Sequence, residues 1–453
     1  MTYFCGYIRG NSNTHKKEKT YRLNLTKIID IEIDDTSFSS LSKEGTQGVF
    51  SRDRVLTLRR LIFMIMKFKT SIQRELDRFV KEISDDDFNI RAVTKSAFTQ
   101  ARAKLNPLAF KRLNEITVKA FYSEASILGW AGMRTLAIDG SKLMLPNHPS
   151  IKETFGETSY GPKADSKRSM ALASMLYDVH NLVVLDAQID RYDASERDLM
   201  RAHLDFVDKG DLLLLDRGYG CFWLLFLLKA KGIEFCIRMK DDWWKEVHKF
   251  SESNQTDKIV YFELPKKDQD KLSEYPEIIN QKIACRLVKV ILDNGEIEIL
   301  CTSLMDTKKV KTEDFKELYH YRWNEEEAFK LLKSRIELED FSGKTARAIQ
   351  QDFYAKIFLM TLCSAYAHPI EEKVRQEFIV DDDHKHPQKI NRTNALANLI
   401  DLLVPIYIKK KIRKALKVFD DIVFRTREIV RNVMSFERKK RPRKNYSMNY
   451  KKL

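Results

Sequence analysis

Asp139 follows the apolar run Leu136-Ala137-Ile138, and Asp216 follows Leu212-Leu213-Leu214-Leu215. Two acids therefore stand at the exits of two predicted buried strands. A carboxylate is costly to bury alone there, and open α/β sheets bind ligands at the carboxyl ends of their strands. A metal-binding pair is the economical reading, against the ordinary one of turn or helix-capping aspartates. A third partner comes from Tyr319, Arg322, Glu326 and Lys333, spaced Y-x2-R-x3-E-x6-K. On a 3.6-residue period these offsets of 3, 7 and 14 share one helix face. Glu325 and Glu327 are rotated about 100° to either side, so Glu326 is the expected acid. Three converging carboxylates suit two Mg²⁺ ions, each content with one or two carboxylates and water. Such a pair performs phosphodiester cleavage and transfer. Arg322, Lys330 and Lys333 on the same face would hold scissile-end phosphates, Arg322 through a planar fork. The alternative is an amphipathic helix with i,i+4 pairs such as Glu326 to Lys330.

The elements that must position these residues are legible in outline. Strands are expected at Arg134 to Ile138, Met170 to Tyr177, Leu182 to Gln188, Leu212 to Leu215 and Glu234 to Arg238. A helix starting at Ser195-Glu196-Arg197-Asp198 turns Leu199, Ala202 and Phe206 to the sheet. Residues 241 to 312 read as a β-rich insertion, with a hairpin around Asp293-Asn294-Gly295 drawn as a type I′ turn. The insertion accounts for the 110 residues between Asp216 and Glu326.

Residues 1–125 are expected to be helical. Thr70 to Ile83 and Thr94 to Leu105 flank the acidic turn at 84–87, and Lys95, Gln100, Arg102 and Lys104 on the second helix suit a DNA groove or a solvated bundle face. Residues 376–453 form a basic helical region ending in the charge block 438–444.

The chain of 453 residues is long for one core. Its 80 Lys and Arg against 65 acids give a net charge of +15, which favours a polyanionic partner such as double-stranded DNA. Six scattered cysteines without a C-x-x-C pair indicate neither a zinc knot nor a disulfide scaffold, as in a reducing cytoplasm. The longest apolar stretches fall short of the roughly 20 residues of a membrane span, and no membrane partner is expected.

LAIDGS, LLLLDRGY and YHYRWNEEEAFKLLK occur in order, and with them the chain resembles DDE transposases of the insertion-sequence-4 family over roughly residues 90–370. The resemblance implies an α/β fold: a ribonuclease H-like catalytic core (126–240 and 313–375) interrupted by the β-rich insertion (241–312), with a helical N-terminal domain and a basic helical C-terminal region. Three strands, a helix, a strand, a helix and a strand is also that core's order. It implies Asp139, Asp216 and Glu326 as catalytic ligands of two Mg²⁺ ions, with Mn²⁺ as a substitute. Tyr319, Arg322 and Lys333 would contact the transposon-end backbone. Trp243, Trp244 and Trp323 are candidates to stack on a flipped base. The expected function is cut-and-paste excision and insertion of the chain's own element, acting on terminal inverted repeats and target DNA as a dimer in a synaptic complex in the cytoplasm at the nucleoid. The rivals are a ribonuclease H-fold DNA nuclease without strand transfer and a catalytically retired DNA-binding protein derived from a transposase.

Overall fold

The computed structural model describes residues 5–9, 14–44, 50, 55–85, 91–160, 166–380 and 386–430. The basic block at 438–444 and part of the acidic turn at 84–87 lie outside them. The chain folds as a mixed α/β structure around a central sheet of nine strands. These are β1 (Thr135–Met144), β2 (Glu157–Tyr160), β3 (Ser166–Asp178), β4 (Val183–Arg191), β5 (Leu212–Leu215), β6 (Glu234–Met239), β7 (Asp257–Glu263), β8 (Lys282–Ile291) and β9 (Ile297–Thr302). The middle of the sheet is parallel, β1 to β5 and β5 to β6, and every other pairing is antiparallel. Parallel strands are covered on both faces and read as continuous apolar runs, which is why Leu212–Leu215 is four leucines, all fully buried.

Two expected strands are longer than their apolar runs. β1 continues through Asp139 to Met144 because β3 pairs with it residue by residue as far as Met144 with Met170. Asp139 thus lies within a strand, at the point where β5 stops, and does not end one. The three strands of 241–312 do not fold apart: β9 pairs with β6, and β8 and β7 follow outward, so the segment extends the central sheet. Its hairpin differs from the type I′ turn. Gly295 N–H donates to the Leu292 carbonyl and Leu292 N–H to that of Glu296, and Gly295 alone of the three loop residues has positive φ, at 82°. That is the three-residue loop with a glycine at the left-handed position.

Helices pack on both faces. The relevant ones are α1 (Leu108–Glu124), α2 (Glu196–His203), α3 (Asp314–His320), α4 (Trp323–Ser334) and α5 (Ala346–Val380). Ser195 caps α2, its Oγ accepting the Asp198 N–H. Leu199, Met200 and His203 are the buried residues of α2, while Ala202 is exposed, contrary to the expected stripe. His203 takes the inward position because it is fully bonded there, Nδ1 with Asp186 at 2.7 Å and Nε2 with the Ser174 hydroxyl at 3.0 Å.

The N-terminal and C-terminal helices share one core with the sheet. Arg22 forms an ion pair with Asp420, Phe63 stacks on Tyr407 at 4.4 Å, and the hydroxyls of Thr26, Tyr366 and Tyr407 form a chain. The helix–turn–helix candidate is real as two helices, Ile72–Ser84 and Lys95–Arg102. Arg102, however, is buried, donating to Gln351, Ser342, Asp352 and the Ala348 carbonyl. It anchors α5 and reads no groove. Among the described residues no helix is long and apolar enough to cross a membrane.

Candidate active site

The sheet brings the two aspartates together. Ile138 of β1 is opposite Leu215 of the parallel β5, so Asp139 and Asp216 follow next on neighbouring strands, which run about 4.8 Å apart. Side chains alternate across a strand. Leu136, Ile138, Leu213 and Leu215 fill one apolar cluster, and Ala137, Leu212 and Leu214 fill the other. Asp139 and Asp216 continue the second set, on the face that Tyr319, Phe329 and Leu332 of α3 and α4 cover.

Beyond Ile138 the parallel ladder is over, and the Asp139 N–H is accepted instead by Oε1 of Glu325 at 2.8 Å. Glu325 is fully buried and its Oε2 has no partner among the described residues. Burial first, and then the neighbouring Asp139, hold its carboxyl well above the usual carboxylate range. Glu326 turns to the rim, its side chain 27% exposed and its Oε1 accepting from Arg322 Nη2 at 2.8 Å. The acids feel one another. Burial pushes the Asp139 carboxyl up to about 6, Asp216 and Glu326 add to the rise, and the Gly140 N–H and Arg322 oppose it. The structure thus puts Asp216 and Glu326 within electrostatic reach of Asp139 and gives the other glutamate a partner in the Asp139 N–H.

The helix carrying the motif is not continuous. Between α3 and α4 the N–H groups of Tyr321, Arg322, Asn324 and Glu325 bond three residues back, to Leu318, Tyr319, Tyr321 and Arg322, a 3₁₀-type tightening. Two motif residues beside this turn lie inward. Tyr319 is 3% exposed, and its hydroxyl donates to the Leu215 carbonyl at 3.2 Å, just ahead of Asp216. Arg322 is 4% exposed, with its guanidinium carbon 5.6 Å from the Tyr319 ring centre and 5.2 Å from that of Trp323. Burial works against its charge, and Tyr319, Glu326 and Asp216 hold it protonated. Tyr319 and Arg322, expected at the transposon-end backbone, are thus both buried in this conformation.

Lys333 is half-buried and donates to the Ser141 hydroxyl and the Lys142 carbonyl, both at 2.7 Å, two and three residues past Asp139. Lys330 is exposed and paired with Glu327, not Glu326. The aromatic candidates divide by burial. Trp243 is 42% exposed with the Lys240 ammonium 3.9 Å from its ring centre, and Trp323 is 40% exposed at the start of α4. Trp244 is 9% exposed, stacked on Phe222 at 3.9 Å and packed edge-on against Phe262. As a core residue it is not available to a base.

Sequence reasoning missed the pair Arg238 and Glu298, bonded at 2.9 Å. Arg238 follows Ile237, the partner of Leu215, so it stands beside Asp216 on the next strand. Burial first raises the Glu298 carboxyl, and Asp216 adds to it against Arg238 and Arg322. The signal lies in the alternation, because both positions share parity with the inward-facing Cys236 and Leu300. Asp139, Asp216, Arg238 and Glu298 form one polar row across the strand ends.

The donor set consists of carboxylate oxygens in mutual repulsion, which a hard divalent cation relieves. The residues therefore fit such an ion in chemistry. Among the described residues no three His, Cys, Asp or Glu side chains are gathered around one point. Tyr319→Phe is expected to cost about 1 kcal/mol of stability by stripping the Leu215 carbonyl of its donor, with DNA affinity unchanged. Urea melts and binding titrations check this. A tenfold loss of DNA affinity at unchanged stability would return the phenol to the DNA surface.

Comparisons with known proteins identify the family. The sequence model of one family, described as the transposase DDE domain, matches residues 130–362. The transposase InsG for insertion sequence element IS4 of Escherichia coli (strain K12) is 23% identical over 329 residues, covering 71% of this chain and 72% of that protein. A solved piggyBac transposase synaptic complex with hairpin DNA aligns at a TM-score of 0.45 and 12% identity, over 90% of this chain and 87% of that one. The family match spans more than half of the 453 residues and both aspartate strands: the chain belongs to the transposase DDE domain family and is a DDE transposase of the insertion-sequence-4 group.

Proposed function

We propose that Asp139, Asp216 and Glu326 are the catalytic carboxylates of this cut-and-paste transposase and hold two Mg²⁺ ions, or Mn²⁺ in their place. The single observation that carries this is the register Ile138 with Leu215, after which both aspartates face the helix bearing Glu326. When bound, the ions activate the attacking water or 3′-hydroxyl and stabilise the departing oxygen. The chain's own groups do the rest. Arg322 fixes Glu326, and Tyr319 fixes the end of β5 ahead of Asp216. Lys330 and Lys333 meet the transposon-end phosphates from the rim. We read the strand order β4-β3-β1-β5-β6 as a ribonuclease H-like core, with 241–312 inserted at its edge.

The substrates in this reading are the element's terminal inverted repeats and target DNA, held by a dimer in the synaptic complex. Strand-transfer assays with purified protein, Mg²⁺ and linear DNA bearing the flanking repeats test it. Cleaved and joined products are expected, and Asp216→Asn should yield neither. Cleavage without joining would establish the nuclease rival. Binding without cleavage would establish the retired DNA-binding protein.

Trp243 and Trp323 are the remaining candidates for stacking on a flipped base. Trp243→Ala should weaken binding to hairpin or single-stranded ends by about 1–3 kcal/mol and leave stability nearly unchanged. Trp244→Ala should destabilise the fold by about 3–5 kcal/mol instead, because it empties a core position. Denaturant melts alongside binding titrations separate the two residues, and a reversal of their phenotypes would overturn the assignment.

A further inference from the structure

Another carboxylate lies against the backbone that follows each aspartate. Glu196 is the first residue of α2, and its neighbour Arg197 donates Nε and Nη2 to the Gly218 carbonyl at 3.0 and 2.9 Å. That contact ties the helix start to the turn that follows Asp216. The Glu196 side chain is thereby laid over Gly140, the residue after Asp139. A β-carbon at position 140 would stand 3.0 Å from Glu196 Oε1 and 3.1 Å from its Cγ and Cδ, and one at Gly218 would stand 3.9 Å from Oε2. The carboxylate spans the two backbone segments that leave Asp139 and Asp216, and glycine at 140 is what admits it.

A second observation points to a ligand here. Tyr219 is fully buried with its hydroxyl unpartnered among the described residues. The carboxylates that bear on that phenol are Asp139, Glu325, Glu196 and Asp216. Glu325 Oε2 is likewise buried without a partner. A buried phenol and a buried carboxyl oxygen, both unmatched, flank one group of acids, and unmatched buried polar groups of this kind point to an absent water or ion. Mg²⁺ keeps several of its waters and takes only one or two carboxylates directly. Those waters need acceptors on the side that Glu326 does not reach.

We infer that Glu196 is a positioning residue of the catalytic centre, accepting hydrogen bonds from the water shell of a divalent cation held by Asp139 and Asp216. The inference rests on the reading of those aspartates as cation ligands. The outer-shell partners of a metal typically contribute 10- to 100-fold in affinity.

The test is a Mn²⁺ titration of the full-length chain without DNA, with free Mn²⁺ followed by electron paramagnetic resonance. Glu196→Gln is expected to weaken Mn²⁺ binding by about 10-fold or more, with the metal-free melting temperature unchanged. Gly140→Ala, which pushes the carboxylate aside, should weaken binding in the wild-type background and have little further effect in Glu196→Gln, since coupled residues are non-additive. Wild-type Mn²⁺ affinity in Glu196→Gln, with binding lost in Asp216→Asn, would overturn the role of Glu196 alone. Wild-type affinity in Asp216→Asn would overturn the underlying reading as well.

Discussion

Asp139→Asn is expected to abolish cleavage and, in metal-free buffer at pH 7.5, to make the protein more stable than the wild type. The two effects share one cause. The carboxyl titrates near its ordinary 3.8 in the unfolded chain and near 6 in the folded one, mainly because burial, and then Asp216 and Glu326, disfavour its charge. Between those pH values the folded protein holds the extra proton, so wild-type stability falls as pH rises through the window. Above pH 6 the penalty is complete, on the order of 3 kcal/mol if the whole shift is expressed. Asparagine carries none of it and can still accept the Gly140 N–H. Urea melts should therefore show the variant ahead by about 2–3 kcal/mol at pH 7.5 and level with the wild type near pH 4. Adding Mg²⁺ should narrow the gap, since an ion that binds only the wild-type site stabilises only the wild type. A variant no more stable than wild type at pH 7.5 would mean that Asp139 carries no charge stress. Residual Mg²⁺-dependent cleavage by the variant would remove Asp139 from the ligand set.

How much of this site was legible beforehand depended on whether the local pattern and the tertiary partner agreed. Leu212–Leu215 was read to the residue because a doubly covered parallel strand imposes its own pattern. β1 was read short because residues 140–144 owe their strand conformation to pairing with β3 rather than to an apolar run. The helical period puts Glu326 on the Arg322 side, and the two are bonded there. It could not show that Glu325 would be buried as an acceptor for the Asp139 N–H, because that partner is 186 residues away. The same period assumes an unbroken helix, whereas the bonds at 321–325 run three residues back, and it carries no sign that Tyr319 and Arg322 are buried. Trp243 and Trp244 lie in a turn that sets no periodicity, and which one faces the core was decided by Phe222 and Phe262. Arg102 shows the same limit, its exposure being decided by α5, some 250 residues later.

Arg322→Ala should behave differently from the loss of a phosphate contact. A contact residue on the DNA surface would leave the free protein intact, weaken end binding and leave metal affinity alone. Arg322 is buried, bonded to Glu326 and electrostatically coupled to Asp216. Its removal leaves those two acids without their cation, and breaking a buried pair from one side costs about 3–5 kcal/mol. The expected phenotype is a destabilised metal-free protein, slow cleavage through a misplaced Glu326, and an unusually large rise in melting temperature with Mn²⁺. The rise follows because a bound cation replaces part of the lost positive charge. Arg322→Lys should recover some stability by restoring the charge, but little of the cleavage rate, since an ammonium lacks the planar fork that reaches Glu326 beneath the Tyr319 and Trp323 rings. Thermal melts of the three proteins with and without Mn²⁺, paired with single-turnover cleavage, separate the alternatives. Should Arg322→Ala melt like wild type and lose only affinity for transposon ends, the guanidinium would belong to the DNA surface, and the buried conformation would be one that the protein leaves on binding.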